Sequence, residues 1–295
     1  MKVAQVEKSR GKVTLKRLAA KKAAGEKIIG MEAHDTPTAI MADEIGLDIL
    51  CCGSPGPMGM FGHENMADVD FDEQLYMLQA VLRGAKCAFI LCNMPNTTTS
   101  ISVERAVENA ARIARLGADG VHIEPSLATI PAIEAITGAG IPVVSHLGVQ
   151  GERGVFSSGY APRGRDAGDA AAIVTLAHAC VAAGTAAVLM EHASEELTRY
   201  LWETLPVPVL SLGSGPYADG IFHVSSDIIG CSVFPTPPQR ESFADVWSVM
   251  KDAYQGYFDA ARGGAYPKAE NSWHMRDGEL DRLMERLQSD GPAGV

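Results

Sequence analysis

Short apolar runs alternate with longer amphipathic segments along this chain from residue 27 onward. Runs of about four to eight apolar residues between turn residues are typical of buried strands, whereas apolar positions three and four apart are typical of helices. Eight short runs occur, and they begin at residues 27, 47, 87, 120, 141, 185, 207 and 220. The pattern therefore predicts eight strands with helices between them.

Several of the intervening segments carry helix start and stop signals. Residues 71–84 repeat apolar side chains at helical spacing, and residues 102–117 begin at Ser102, a good N-cap, and end at a glycine. Asp35 precedes a threonine and a proline, so we interpret it as the cap of the helix that follows the first strand. Residues 243–262 and 278–288 predict two more helices after the last strand.

Strand–helix alternation implies parallel strands joined by right-handed crossovers, and eight such units predict a (β/α)8 TIM barrel. An open doubly wound sheet is the alternative. No GxGxxG motif follows the first strand, and "SLGSGPYADG" is not a phosphate-binding Walker loop, so a nucleotide cradle is not expected. We predict one barrel domain over residues 1–295, with an N-terminal helical lead-in (1–25) and a C-terminal helical extension (236–295).

Composition narrows the partners and the compartment. A net charge of −11 argues against nucleic acid and against an anionic membrane surface as the main partner. The six cysteines show neither a CxxC motif nor a zinc-binding Cys/His spacing, so we expect reduced thiols. No apolar run is long enough for a signal peptide or a membrane span, so the protein is expected to be cytoplasmic.

Polar side chains gather where the predicted strands end, and TIM barrels place their active sites at those carboxyl ends. In "DGVHIEPS", His122 and Glu124 are two residues apart, so on a strand they face the same way. A buried ion pair could account for Glu124 or Glu191, and a hydrogen-bonded core histidine for His122 or His146. His192 has the opposite parity to Glu191 and should face away from the barrel interior. The strand-end candidates are Glu32, His34, Asp35, Gly53, Ser54, Asn93, His122, Glu124, His146, Glu191, His192, Ser211, Ser214 and Asp227.

Motifs along nearly the whole chain resemble those of the ketopantoate hydroxymethyltransferase family, which belongs to the phosphoenolpyruvate mutase and isocitrate lyase superfamily. The resemblance implies a TIM barrel, a small-molecule carboxylate substrate and a homo-oligomer. It also implies transfer of a one-carbon unit from methylenetetrahydrofolate to a branched 2-oxo acid. The segments that carry it include "GEKIIGMEAHD", "GLDILCCGSPGPMGMFGHEN", "NMPN", "ENAARIARLGADGVHIE", "GIPVVSHLGVQ", "SGYAPRGR" and "VLMEHASEEL".

The chain departs from this family at the metal-binding positions. Two aspartates and a glutamate hold Mg²⁺ in the family, and here those positions are Ser54, Asn93 and Glu124. The family lysine two residues before the glutamate is His122, and the tyrosine after the first strand is His34. Because Mg²⁺ usually takes at least one or two carboxylates, two hypotheses stay open.

In the first hypothesis, the metal is absent and Ser54, Asn93 and His122 polarise the substrate directly. In the second, His122 and Glu124, with His34 or His146, bind a softer divalent metal such as Zn²⁺ or Fe²⁺.

The resemblance also assigns roles. Glu191 matches the family's acid/base, and we expect burial to raise its pKa toward neutrality. We predict Glu191 and His122 as catalytic residues and Glu124 and His122 as metal ligands. The predicted substrate contacts are Gly53, Ser54, Asn93, His146 and His34.

The glycine-rich segment 150–166 is predicted to be a lid, from which Tyr160, Arg163 and Arg165 could reach an anionic substrate. Three functions fit these residues. They are a one-carbon transferase with an altered substrate, a carbon–carbon lyase or hydrolase of the same superfamily, and a catalytically silent binding subunit.

Overall fold

The eight predicted strands close into one parallel barrel. The computed structural model describes residues 10–154 and 159–289. Each strand pairs with the next in chain order, and the eighth pairs with the first, which confirms the TIM barrel and excludes the open sheet. Every strand begins within two residues of its predicted start. The strands are β1 (Ile28–Glu32), β2 (Ile49–Cys52), β3 (Phe89–Asn93), β4 (Gly120–Ile123), β5 (Val143–Gly148), β6 (Ala187–Glu191), β7 (Val209–Leu212) and β8 (Gly220–His223).

Helices connect the strands, and the predicted caps begin two of them. The Asp35 carboxylate accepts a hydrogen bond from the Thr38 N–H at 2.7 Å, and the Ser102 hydroxyl accepts one from the Arg105 N–H at 3.2 Å. The last predicted strand is shorter than its apolar run, because residues after His223 turn into a short helix. The helices of the barrel are α1 (Leu15–Ala24), α2 (Thr36–Ile45), α3 (Pro55–Phe61), α4 (Phe71–Gly84), α5 (Asn96–Thr99), α6 (Val103–Leu116), α7 (Ile130–Gly138), α8 (Ala167–Ala182), α9 (Glu195–Thr204) and α10 (Ser225–Ile228).

The alternation of side chains along each strand produces two apolar layers. Inward-facing residues such as Phe89, Leu91 and Leu189 pack together inside the barrel. Their outward-facing neighbours, such as Ile90, pack against the surrounding helices. Each fully buried aliphatic or aromatic side chain contributes about 1.5–3 kcal/mol, so these layers are the main source of stability.

The N-terminal segment closes the amino end of the barrel. Val13 and Leu18 are buried within the same apolar cluster as the barrel interior. Lys21 and Lys22, in the last turn of α1, ion-pair with Asp48 and Asp219 at 2.6 and 2.8 Å. The carboxyl end of the barrel is therefore the end left for a ligand.

The chain divides into two compact units, Met1–Ala244 and Asp245–Val295. Residues 236–244, which the sequence analysis assigns to the C-terminal extension, belong to the first unit. The second unit contains the two predicted C-terminal helices, α11 (Val246–Arg262) and α12 (Glu279–Ser289), and its described residues include no buried side chain. Across the described ranges, no helix combines the length and apolar character needed to span a bilayer.

Candidate active site

One small cavity lies at the carboxyl ends of the strands. Its volume is about 60 Å³. Because every second residue of a strand faces the barrel interior, the last inward-facing residue of several strands reaches this cavity. Seven of the eight residues that the sequence analysis assigns to the site line it, namely Gly53, Ser54, Asn93, His122, Glu124, His146 and Glu191.

His34 is the eighth predicted residue, and it lies behind the cavity wall. Its Nδ1 is 3.0 Å from Oε1 of Glu32, and Glu32 itself lines the cavity. Burial would lower the pKa of His34, but the hydrogen bond and the charge of Glu32 raise it above its usual value. His34 therefore holds its proton more tightly than a free histidine does, and its contact with the cavity wall is through Glu32.

Glu152 occupies the part of the site between the tips of β2 and β3. Its Oε1 accepts hydrogen bonds from Ser54 Oγ at 3.0 Å and from Asn93 Nδ2 at 2.6 Å. Its Oε2 accepts another from the Asn96 N–H. Three uncharged donors therefore hold a buried carboxylate at the very positions where the family resemblance implies a cation.

His122 and His146 stand side by side above the apolar interior, with ring centroids 5.0 Å apart. His122 Nδ1 is 2.9 Å from Asn93 Oδ1, since the two residues pair across β3 and β4. Burial, together with the nearby His146, lowers the pKa of His122 well below its usual value. At neutral pH His122 is therefore an uncharged imidazole.

Two of the buried carboxylates, Glu124 and Glu152, lie next to each other. Glu124 accepts a hydrogen bond from the Glu152 N–H at 3.2 Å. Burial and the charge of Glu152 raise the pKa of Glu124 well above its usual value. Burial also raises the pKa of Glu152, although the hydrogen bonds from Asn96 and Asn93 oppose this shift. Glu124 and Glu152 therefore hold protons more tightly than exposed glutamates do.

Glu191 behaves in the opposite way, and our expectation of a raised pKa is wrong. Its carboxylate ion-pairs with Arg240, and its Oε2 lies 2.9 Å from His146 Nε2. Burial alone would raise the pKa of Glu191, but His146 and the Arg240 guanidinium bring it below its usual value. Glu191 is consequently an ionised partner of Arg240, which weakens it as a proton acceptor.

Arg240 connects the cavity to the residues behind it. Its Nη1 lies 3.0 Å from Asp227, and its Nε donates to His192 Nε2 at 3.1 Å. His192 is buried and is not among the residues that line the cavity, in agreement with its parity. One guanidinium thus contacts Glu191, Asp227 and His192 together.

Residues 155–158 of the predicted lid, which covers 150–166, lie outside the described residues. Tyr160 is near enough to the site that the charges of Glu124 and Glu191, after burial, help to raise its pKa. The Arg163 guanidinium is paired with Asp169 at 2.6 Å, and Arg165 lines a surface groove instead of the cavity. Among the described residues that line the cavity, the arginine or lysine is Arg240.

Comparison with known proteins identifies the family. The family model described as ketopantoate hydroxymethyltransferase matches residues 12–269. The chain belongs to this family. It is similar to the 3-methyl-2-oxobutanoate hydroxymethyltransferase of Aeropyrum pernix, with 34% identity over 266 residues, which cover 90% of this chain and 96% of the relative. The enzyme of the same name from Moorella thermoacetica is 33% identical over 265 residues, 90% of this chain and 98% of the relative.

Solved structures agree on the fold. A phosphonopyruvate hydrolase in complex with oxalate and Mg²⁺ has a TM-score of 0.58 at 12% identity, over 93% of this chain and 98% of that one. A 2,3-dimethylmalate lyase of the phosphoenolpyruvate mutase/isocitrate lyase superfamily has a TM-score of 0.56 at 15% identity, over 95% of this chain and 96% of that one. At these identities the likeness supports the barrel and says nothing of the reaction.

Membership of the ketopantoate hydroxymethyltransferase family implies a divalent metal, but the donors at the family's metal position do not fit Mg²⁺. Asn93 directs its N–H₂ group to Ser54 and Glu152, and its oxygen faces His122. Mg²⁺ needs oxygen lone pairs, which this arrangement already engages. Within residues 10–154 and 159–289, no group of three or more His, Cys, Asp or Glu side chains is arranged to hold a metal ion. The metal-ligand roles of Glu124 and His122 stay a prediction.

Sequence reasoning missed Glu152 and Arg240. Both lie beyond the strands: Glu152 is in a 3₁₀ turn after β5, and Arg240 follows β8 by 17 residues, from His223 to Arg240. A rule restricted to strand ends cannot find them. The signal available for Glu152 is a lone acid between glycines in "QGERG", directly after β5. Arg240 has no comparable local signal.

Proposed function

We propose that this protein forms a carbon–carbon bond at the α-carbon of a 2-oxo acid by one-carbon transfer through an enolate. Family membership supports the reaction class. The observation that carries the proposal is the cavity lined by Ser54, Asn93, His122, His146 and Glu191, which Arg240 also lines. Such a cavity offers a guanidinium for an oxo acid and an uncharged imidazole for proton transfer.

The proposed substrate class is a small carboxylate. Arg240 lines the cavity and supplies positive charge next to Glu191. Ser54 and Asn93 also line the cavity, but their donors already hold Glu152, so they would bind a substrate oxygen only by exchanging it for that carboxylate. The small cavity, about 60 Å³, favours a small substrate such as a branched 2-oxo acid.

Two groups are proposed to handle protons. His122 and Glu191 both face the cavity, and one of them must remove the hydrogen from the α-carbon. The ion pair with Arg240 favours a charge-balancing role for Glu191. The proposed one-carbon donor is methylenetetrahydrofolate, or formaldehyde released from it.

The test follows a model substrate by proton NMR. Wild-type protein should exchange the α-hydrogen of 3-methyl-2-oxobutanoate with D₂O and, when methylenetetrahydrofolate is added, form the hydroxymethylated product. His122→Gln should slow the exchange by about 10²- to 10⁴-fold, the usual contribution of a general base. Glu134→Gln, an exposed glutamate on α7, is the matched control and should leave the rate unchanged.

Other outcomes separate the competing functions. Release of a small oxo acid from a larger acid, with no donor present, would support a lyase or hydrolase instead. Neither exchange nor cleavage with any 2-oxo acid tested would support a silent binding subunit.

We also propose a homo-oligomer in which the C-terminal unit supplies contacts. Large apolar side chains on α11 are exposed in that unit, among them Trp247, Tyr254, Tyr257 and Phe258. Light scattering should give a mass that is a multiple of the 31.2 kDa chain. Replacing Trp247 and Tyr257 by serine should lower it.

A reducing, cytoplasmic location is proposed from the cysteines. All six are free thiols, and five of them are buried.

A further inference from the structure

The hydrogen bonds around Asn93 fix which way its amide points. Ionised Glu152 offers only acceptors, and its two oxygens also accept from Ser54 Oγ and the Asn96 N–H, so the Asn93 atom 2.6 Å from it is the N–H₂ group. The amide oxygen of Asn93 must then face His122, whose Nδ1 lies 2.9 Å away. The orientation follows from the chemistry of Glu152 and needs no assumption about the amide itself.

The same logic fixes the tautomer of His122. An amide oxygen accepts a hydrogen bond, so His122 Nδ1 must carry the hydrogen. A neutral imidazole has one N–H group, so Nε2 has a lone pair. His122 is buried, and an imidazolium there would bury a second N–H group, on Nε2, with no acceptor among the described residues, so the geometry favours the neutral ring. Nothing in the described parts of the chain hydrogen-bonds to this Nε2, and His122 lines the cavity.

We propose that Glu152 is a positioning residue: through the Asn93 amide it holds His122 in the Nδ1–H tautomer, so that a bare Nε2 accepts the α-proton of the substrate. The role of Nε2 rests on the proposed reaction, whereas the tautomer does not. Glu191, the other candidate for the base, is engaged by Arg240 and His146.

The proposed proton transfer needs no group other than the substrate and His122. The C–H bond at C3 of the 2-oxo acid, next to the oxo group, breaks, its proton moves to His122 Nε2, and its electron pair forms the enolate with the oxo group. The resulting imidazolium still donates from Nδ1 to Asn93 Oδ1. The Asn93 N–H₂ group donates to the Glu152 carboxylate, so the chain of dipoles favours positive charge on His122.

The experiment reads the tautomer directly. Protein labelled with ¹⁵N in histidine is examined without substrate by long-range ¹H–¹⁵N correlation, and His122 is assigned by its loss in His122→Gln. We expect a protonated Nδ1 and a bare Nε2 in the wild type. Glu152→Ala removes the acceptor that orients the Asn93 amide. The Ser54 hydroxyl cannot replace it, because a hydroxyl can either donate or accept. The amide can then turn over, and an Nε2–H signal should appear for His122.

A neighbour in the same loop is the control. Gln150 donates to the Pro125 and His146 carbonyl oxygens and has no hydrogen bond to Glu152 or Asn93. Gln150→Ala should therefore loosen the loop and leave the His122 tautomer unchanged. If Glu152→Ala does not fold, the wild-type spectrum still decides, since an Nε2–H or doubly protonated ring there overturns the inference.

A kinetic readout tests the consequence. Glu152→Ala should slow the D₂O exchange of 3-methyl-2-oxobutanoate by about 10- to 100-fold in kcat with little change in KM, as expected when a positioned hydrogen bond to a developing charge is lost. An unchanged tautomer in Glu152→Ala would overturn the inference. A stoichiometric metal found by elemental analysis in the wild type and lost in His122→Gln would overturn the acceptor role of Nε2. A correct tautomer with no exchange in the wild type would instead overturn the proposed reaction and the acceptor role of Nε2.

Discussion

The two ends of the barrel both carry buried carboxylates, but they neutralise them differently. At the amino end, Asp48, Asp219 and Asp43 each lie next to a lysine or arginine from the N-terminal segment. At the carboxyl end, Glu191 and Asp227 share Arg240, while Glu124 and Glu152 accept hydrogen bonds from uncharged donors. The amino end is built for stability, and the carboxyl end retains charge that is only partly compensated.

This difference is the physical mark of the functional end. Buried charges without full compensation cost stability, and they persist where chemistry needs them. Burial, and after it the charge of Glu152, raises the pKa of Glu124, which means that the fold disfavours the ionised form of this side chain. For Asp43 the ionised form is favoured instead. Burial would raise the pKa of Asp43, but the N–H groups of residues 86–88 and the charge of Arg10 lower it below its usual value.

The largest effect is expected at the amino end. Asp43→Asn should lower the free energy of unfolding by about 3–5 kcal/mol, because it leaves Arg10 and backbone N–H groups without their carboxylate. Urea denaturation measures the change. Asp72→Asn, which breaks an exposed pair with Arg112, should cost less than about 1 kcal/mol. If both variants lost the same free energy of unfolding, the buried carboxylates of the amino end would contribute no more than an exposed ion pair does.

The pH dependence of Asp43 has a defined sign. Its pKa is lowered in the folded protein, so it stabilises the fold above the unfolded-state value near 4. That contribution should disappear as the pH falls through the folded-state pKa. The stability difference between wild type and Asp43→Asn should accordingly shrink in acid.

A smaller effect, of opposite sign, is expected at the carboxyl end. Glu124→Gln should raise the free energy of unfolding by about 1 kcal/mol at pH 8 while lowering activity, since it removes a carboxylate that burial and Glu152 disfavour. Because the pKa of Glu124 is raised, the folded wild type gains stability as the pH falls through that pKa. The advantage of the variant should therefore narrow toward pH 5 in thermal melts. A destabilised variant at pH 8 would refute this account of the carboxyl end.

The smallest effect concerns the exposed edge of the amino end. Lys12 pairs with Asp119 at 2.5 Å, but the two side chains are 39% and 23% exposed. Lys12→Met should cost no more than about 1 kcal/mol, and 1 M salt should remove most of the difference. A salt-independent loss would mean that the pair behaves like the buried ones.

The sequence by itself determined the barrel, because strand and helix periodicity, helix caps and glycine stops are local properties. Asp35 and Ser102 cap the predicted helices, and all eight strands begin within two residues of the apolar runs. The parity of each strand also brought Asn93, His122, Glu124 and Glu191 to one cavity.

Tertiary structure alone decided which charges meet there. Glu152 and Arg240 reach the strand tips from segments outside the strands, and no local pattern encodes the distance between a loop and a strand tip. For that reason the pKa of Glu191 falls where burial alone would have raised it, and Arg163 turns to Asp169 instead of to the site. Periodicity determines which face a side chain occupies, whereas electrostatics depends on every neighbour that the fold brings within a few ångströms.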